Sequence, residues 1–180
     1  MNKAKKVKVH KVLAHKAPQK VAALRAPQKA TARKAPPKLK ARKVTADPTT
    51  VATVWHSMQT ICREMRHVID RPAQNFLISQ LHDVSVGLWD AKGTTIAVAV
   101  GLPPQFLGAG FAVKALLEKF GDDIAPGDVF LTNDPYHGGH CCHLPDWAFF
   151  RPIFFKGELL FFTMARAHQQ DPGGSYPGGY

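Results

Sequence analysis

From residue 47 onward the apolar positions fall into clear patterns. Val51, Val54, Trp55, Met58, Ile61, Cys62, Met65 and Val68 recur at intervals of three and four, which is the period of one helix face. Asp47 or Thr49 can cap the start, so the spacing predicts a helix running to about Asp70 with Cys62 on its buried stripe as a core thiol. In LHDVSVGLWDAKGTTIAVAV, apolar and polar residues alternate around Asp-Ala-Lys-Gly, predicting a hairpin with strands near 83–89 and 94–100. GAGFAVKALLEKFGDD reads as a second helix closed by Gly121. Pro-Gly-Asp at 126–128 then turns into a short strand, Val-Phe-Leu-Thr. WAFFRPIFF, the turn Lys-Gly-Glu and LLFFTMARAH form a second apolar hairpin, with Phe149, Phe150, Phe154, Phe155, Phe161 and Phe162 expected in the core. Helices mixed with antiparallel β-hairpins give an α+β fold.

Residues 1–46 behave differently. They hold no acid and no aromatic residue, and Ala-Pro-Gln-Lys at 17 and 26 is echoed by Ala-Pro-Pro-Lys at 35. The prolines at 18, 27, 36 and 37 interrupt any helix, and so little apolar surface cannot offset the entropy of ordering. The expectation is a disordered basic tail on a folded body at 47–180. Fifteen of the 24 Lys and Arg lie between Lys3 and Lys43, leaving nine against thirteen Asp and Glu in the body. The formal charge of +11 is therefore +15 from the tail and −4 from the rest, so the basicity says nothing about what the body binds. A tail of this density could neutralise nucleic-acid phosphates or an anionic membrane surface, or serve as a solvated linker or leader.

Length allows about one ordinary domain of roughly 100 to 200 residues. Three cysteines, two of them adjacent at Cys141 and Cys142, do not make a disulfide framework, which points to a reducing compartment. No apolar run approaches the roughly 18 to 20 residues that span a bilayer. The reading is a soluble, cytoplasmic protein.

Candidate chemistry concentrates in residues 133–146, NDPYHGGHCCHLPD. His143 and Asp146 stand three apart with a stiffening proline between them, and His168 arrives 22 residues after Asp146 at the end of the returning strand. A hairpin would bring His168 back beside Asp146, so two imidazoles and a carboxylate converge, a set suited to zinc, manganese or iron. The plainer alternative is that Asp and His cap turns here. Cys141 and Cys142 point apart in an extended chain and read as passengers. His137 and His140 flank Gly138-Gly139, which either admits a substrate phosphate or carbonyl close to backbone amides or is only a turn. By ligand type alone, two histidines and a carboxylate also match the facial triad of non-haem iron oxygenases, although a 22-residue return is short for it.

These motifs together resemble the N-terminal part of the hydantoinase B/5-oxoprolinase family, which includes the α-type subunits of acetone and acetophenone carboxylases. NDPYHGG, HLPD and GELLFFTMARAHQQDPGG carry the resemblance, with DPTTVATVWHSMQTICREM, HDVSVGLWDAKG and FGDDIAPGDVFLTNDPY agreeing upstream. It covers about residues 47–180. The resemblance implies a component of an ATP-dependent cyclic-amide hydrolase, or of a related carboxylase. It also implies a hydantoinase A-type ATP-using subunit or domain as partner, a hetero-oligomer, and a divalent metal held by His143, Asp146 and His168 with Asp83 as a further carboxylate. Consistently, the sequence has no GxxxxGK[ST] phosphate loop of its own. Family members are several times longer, so the body is expected to be the N-terminal portion of a larger fold, inactive by itself. The His-Cys-Cys before His-Leu-Pro-Asp departs from the family's tighter glycine- or threonine-containing link. A non-catalytic interaction protein, displaying a truncated domain on a basic tail, is the reading from a different class.

Overall fold

The structure is a computed structural model that describes residues 46–99, 101–136, 138, 141 and 143–176. The basic tail, apart from Ala46, lies outside the described residues. The first helix, α1, runs Pro48–Asp70. Asp47 caps it: its carboxylate accepts from the Thr50 amide at 3.0 Å, and Pro48 takes a first-turn position where a missing N–H costs nothing. At the far end Arg66 pairs with Asp70 at 2.8 Å, one turn on, and donates to the carbonyls of His82 (2.8 Å) and Val84. The last turns of α1 are thereby tied to the start of the first strand.

A short helix α2, Phe76–Ser79, follows, and then five strands: β1 Val84–Asp90, β2 Thr95–Val98, β3 Phe130–Thr132, β4 Asp146–Phe155 and β5 Glu158–His168. Between β2 and β3 lie α3, Pro103–Leu107, and α4, Ala109–Phe120, the latter ending at Gly121 as expected. The strands form one antiparallel sheet in the order β2-β1-β5-β4-β3. Successive side chains leave opposite faces, so two cores form. On one face Trp89, Phe150, Phe162 and Met164 pack with Ala109, Ala112, Val113 and Leu116 of α4. On the other, Val84, Val86, Leu88, Ala97 and Ala99 pack with Cys62 of α1, joined by Met58, Met65 and Ile69. Each fully buried large side chain contributes on the order of 1.5–3 kcal/mol.

Three expectations are corrected. The buried stripe of α1 is narrower than its periodicity: Val51, Val54, Trp55, Ile61 and Val68 are exposed, and every residue from Pro48 to Ser57 is open to solvent. Of the six phenylalanines, Phe150 and Phe162 are buried, whereas Phe149 and Phe155 are exposed. Phe149 points to the α1 side of the sheet, but α1 packs on β1 and β2, two or more strands away; Phe155 sits at a hairpin tip. Finally, two short helices, α2 and α3, lie where the residue pattern predicts no element.

Candidate metal centre

Strand alternation assembles the site. Counting back from Trp89, residues 87, 85 and 83 share a face of the sheet, as do 162, 164, 166 and 168 on β5 and 150, 148 and 146 on β4. Asp146 is the direct cross-strand partner of His168, and the His168 amide donates to the Asp83 carbonyl at 3.1 Å. Asp83, His168 and Asp146 therefore stand side by side at the end of three neighbouring strands. His143 joins them from the turn preceding β4, where the Asp146 amide donates to the His143 carbonyl at 3.2 Å. Asn133 pins that turn through its side-chain amide to Leu144 O at 2.9 Å, and the Gln169 amide closes on Pro145 O at 2.8 Å.

The side chains converge closely. His143 Nε2 lies 2.9 Å from His168 Nδ1 and 3.1 Å from Asp146 Oδ2, and His168 Nδ1 lies 3.3 Å from Asp146 Oδ1. One donor atom from each of the three can be chosen so that all lie within 4.8 Å of one another. Asp83 approaches the same imidazole, Oδ2 standing 3.7 Å from His168 Nδ1, while its other oxygen accepts from the Gln105 side-chain amide. Asp146 is buried, His168 nearly so, and His143 keeps 31% of its side chain exposed, so the cluster is reached from the His143 side.

The donor set fits a divalent cation. Buried polar atoms are nearly always hydrogen-bonded, yet Asp146 Oδ1 is buried without a hydrogen bond and faces His168. Two imidazoles and a carboxylate suit zinc, manganese or iron.

Sequence reasoning missed two participants. Arg166, fully buried, donates to Asp146 Oδ2, and another of its guanidinium nitrogens donates to Gln105 O at 3.0 Å. A signal existed for the first: Met164, Arg166 and His168 share one face of β5, so period two already placed a charge on a buried side. Gln105 carried none, because only tertiary packing of α3 delivers it. Among the substrate-loop candidates, Gly138 is described, whereas His137 and Gly139 lie outside the described residues, as do His140 and Cys142. Gly138 has φ +88° and rests on α4, where a Cβ would stand 3.0 Å from Ala112 Cα. Cys141 is buried with its thiol donating to Asp146 O at 3.1 Å, a contact that braces the turn and leaves the sulfur outside the cluster.

Comparison with known proteins gives this geometry a context. The caprolactamase subunit beta of Pseudomonas jessenii is 35% identical over 136 residues, covering 76% of this chain and 23% of that subunit. The crystal structure of ATP-dependent caprolactamase from the same organism superposes with a TM-score of 0.68 at 34% identity, covering 76% of this chain and 23% of that one. Nucleotide-free acetone carboxylase superposes with a TM-score of 0.67 at 23% identity, over 73% of this chain and 17% of that one, a likeness of fold. This chain thus spans about a quarter of the length of the caprolactamase chains it matches. The family described as hydantoinase B/oxoprolinase matches residues 47–180, the whole body that follows the basic stretch. On this match and these likenesses, the chain belongs to the hydantoinase B/oxoprolinase family.

Proposed function

We propose that this chain is the metal-holding component of an ATP-dependent cyclic-amide hydrolase of the hydantoinase/5-oxoprolinase type, with His143, Asp146 and His168 as ligands and Asp83 as a further carboxylate. The observation that carries the proposal is the convergence of three donor atoms within 4.8 Å, beside a buried carboxylate oxygen without a hydrogen bond. A zinc, manganese or iron ion, when bound, supplies the charge that ionises water or polarises an oxyanion. The chain's own residues hold that charge in place: Asp146 is fixed from behind by Arg166, and His143 borders the open side through which a substrate enters. A hydrolase is favoured over a carboxylase because the stronger sequence likeness is to a caprolactamase, named for a cyclic amide, while the carboxylase likeness is of fold only.

The word subunit in the relative's name supports a partner chain, and we assign ATP use to a hydantoinase A-type subunit or domain in a cytoplasmic hetero-oligomer. The basic stretch 1–46 lies outside the family match and is read as a contact for nucleic-acid phosphates. The metal reading is tested by elemental analysis of the full chain after gel filtration, beside His143→Ala and His168→Ala. Stoichiometric divalent metal in the parent and near-complete loss in both variants is expected, with ATP-dependent lactam hydrolysis lost in the assembled complex. Unchanged metal content in both variants sinks the ligand assignment.

A further inference from the structure

Two buried polar side chains run beneath the ligands. Arg166 sits one inward-facing position before His168 on β5, in register with Ser85 on one side and Ala148 on the other, and is 1% exposed. One of its nitrogens donates to Asp146 Oδ2 and another to the backbone oxygen of Gln105. Gln105, 4% exposed on α3, in turn sends its side-chain amide to Asp83 Oδ1. The sequence of contacts Asp146, Arg166, Gln105, Asp83 passes around the back of His168, whose Nδ1 stands 3.3 Å from one carboxylate and 3.7 Å from the other.

Burying a guanidinium carries a desolvation cost that an apolar side chain of similar volume avoids, so packing alone does not explain an arginine here. What the arrangement achieves is orientation. Each carboxylate has one oxygen held by Arg166 or Gln105 and the other turned toward His168, Oδ1 of Asp146 and Oδ2 of Asp83, while Asp146 Oδ2 also stands 3.1 Å from His143 Nε2. We propose that Arg166 and Gln105 are positioning residues, a strap across β5 and α3 that makes Asp146 and Asp83 each present one oxygen to a divalent cation beside His168. This rests on the metal reading above. It also couples α3 to the ligands: a shift of Gln105 would turn Asp83 and release Arg166 together.

The test is chelator competition for zinc and for manganese on the full chain, with unfolding midpoints recorded for every variant. His143→Ala serves as the control for the metal reading. Removing an outer partner of a ligand typically lowers affinity 10–100-fold, and Gln105→Leu is expected to fall in about that range. Because Gln105 acts through Asp83, the same change made on top of Asp83→Asn should add little, a non-additivity that a purely structural role would not produce. Arg166→Lys, which keeps the charge but cannot serve both partners, should lose affinity as well. Should that variant unfold, Gln105→Leu still decides the matter. A parent chain that binds no metal, or a His143→Ala variant that binds as the parent does, overturns the metal reading and the strap with it. If His143→Ala loses metal while Gln105→Leu binds like the parent, or loses equally with and without Asp83, the strap alone is overturned.

Discussion

Cys62 carries its thiol into the contact between α1 and the sheet, and burial pushes its ionisation above the ordinary value of 9.0. The raised value belongs to the folded state, so the neutral thiol's contribution to stability is complete below the unfolded pKa. It is lost as pH climbs through the folded one. The stability advantage of the parent over Cys62→Ala, measured by denaturant titration, should therefore shrink as pH rises past about 9. Alkylation of Cys62 at pH 8, followed by peptide mapping, should be slow because it waits on opening of the fold; prompt labelling at this position in the folded protein would show the thiol to be exposed. Its place on the periodic stripe was legible in the sequence, and its burial follows because α1 lays this part of the stripe against β1 and β2. His143, Asp146 and His168 were legible for a related reason: a hairpin's register converts sequence separation into adjacency. Asp83 entered only through resemblance, since no local spacing ties it to His168 until β1 is laid beside β5. Gln105 was not legible at all, because its contact with Asp83 depends on where a five-residue helix settles.

Among the elements, the meeting of the first hairpin with α4 depends on two glycines. The Asp90 carboxylate organises the hairpin turn by accepting from the Lys92 and Thr94 amides at 2.8 and 2.7 Å. Gly93, at φ +82°, then lies against Gly110 in the first turn of α4, where a Cβ on Gly110 would stand 2.2 Å from the Gly93 carbonyl oxygen. That oxygen is backbone, so relief requires moving the turn or the helix. Gly110→Ala is expected to cost about 1–3 kcal/mol, the range for overpacking. Gly127, at φ +97° with no atom within 4 Å of a built Cβ, supplies the comparison: its alanine variant carries only the left-handed backbone penalty of roughly 1–2 kcal/mol. Equal denaturation midpoints for Gly110→Ala and the parent would mean that the contact is loose. Gly93 and Gly110 were visible in the sequence, but no local pattern marks that they meet. Periodicity located α1, α4 and both hairpins, each long enough to show its repeat. It could not reveal α2 or α3, whose four and five residues complete barely one turn. It also overstated burial at Phe149 and at Val51, Val54 and Trp55, because a repeat says which residues share a face and not whether another element covers it.

At the scale of the whole molecule, charge divides at residue 47. The fifteen Lys and Arg before it leave a body carrying −4, so a polyanion drawn to the chain meets attraction in one part and mild repulsion in the other. Helix α1 begins at this boundary with its first turns exposed, while the cluster of His143, Asp146 and His168 lies at the sheet end near α1's opposite terminus, where Arg66 holds His82 and Val84. Nucleic acid is favoured over a membrane because the stretch has no aromatic residue to seat in the headgroup region and stable membrane anchoring needs more than charge. Releasing counterions from phosphates makes such binding steeply salt-dependent: engaging about 6 to 10 phosphates lowers affinity roughly 10³–10⁵-fold between 50 and 200 mM salt. The expectation for the full chain on duplex DNA of mixed sequence is a slope of this size with little sequence preference. Replacing the fifteen tail Lys and Arg with Gln should abolish binding while leaving metal content unchanged. Retention of affinity by the replaced chain would move the contact to the body, whose negative charge argues against it. Tighter association with anionic vesicles than with DNA would instead assign the stretch to a lipid surface.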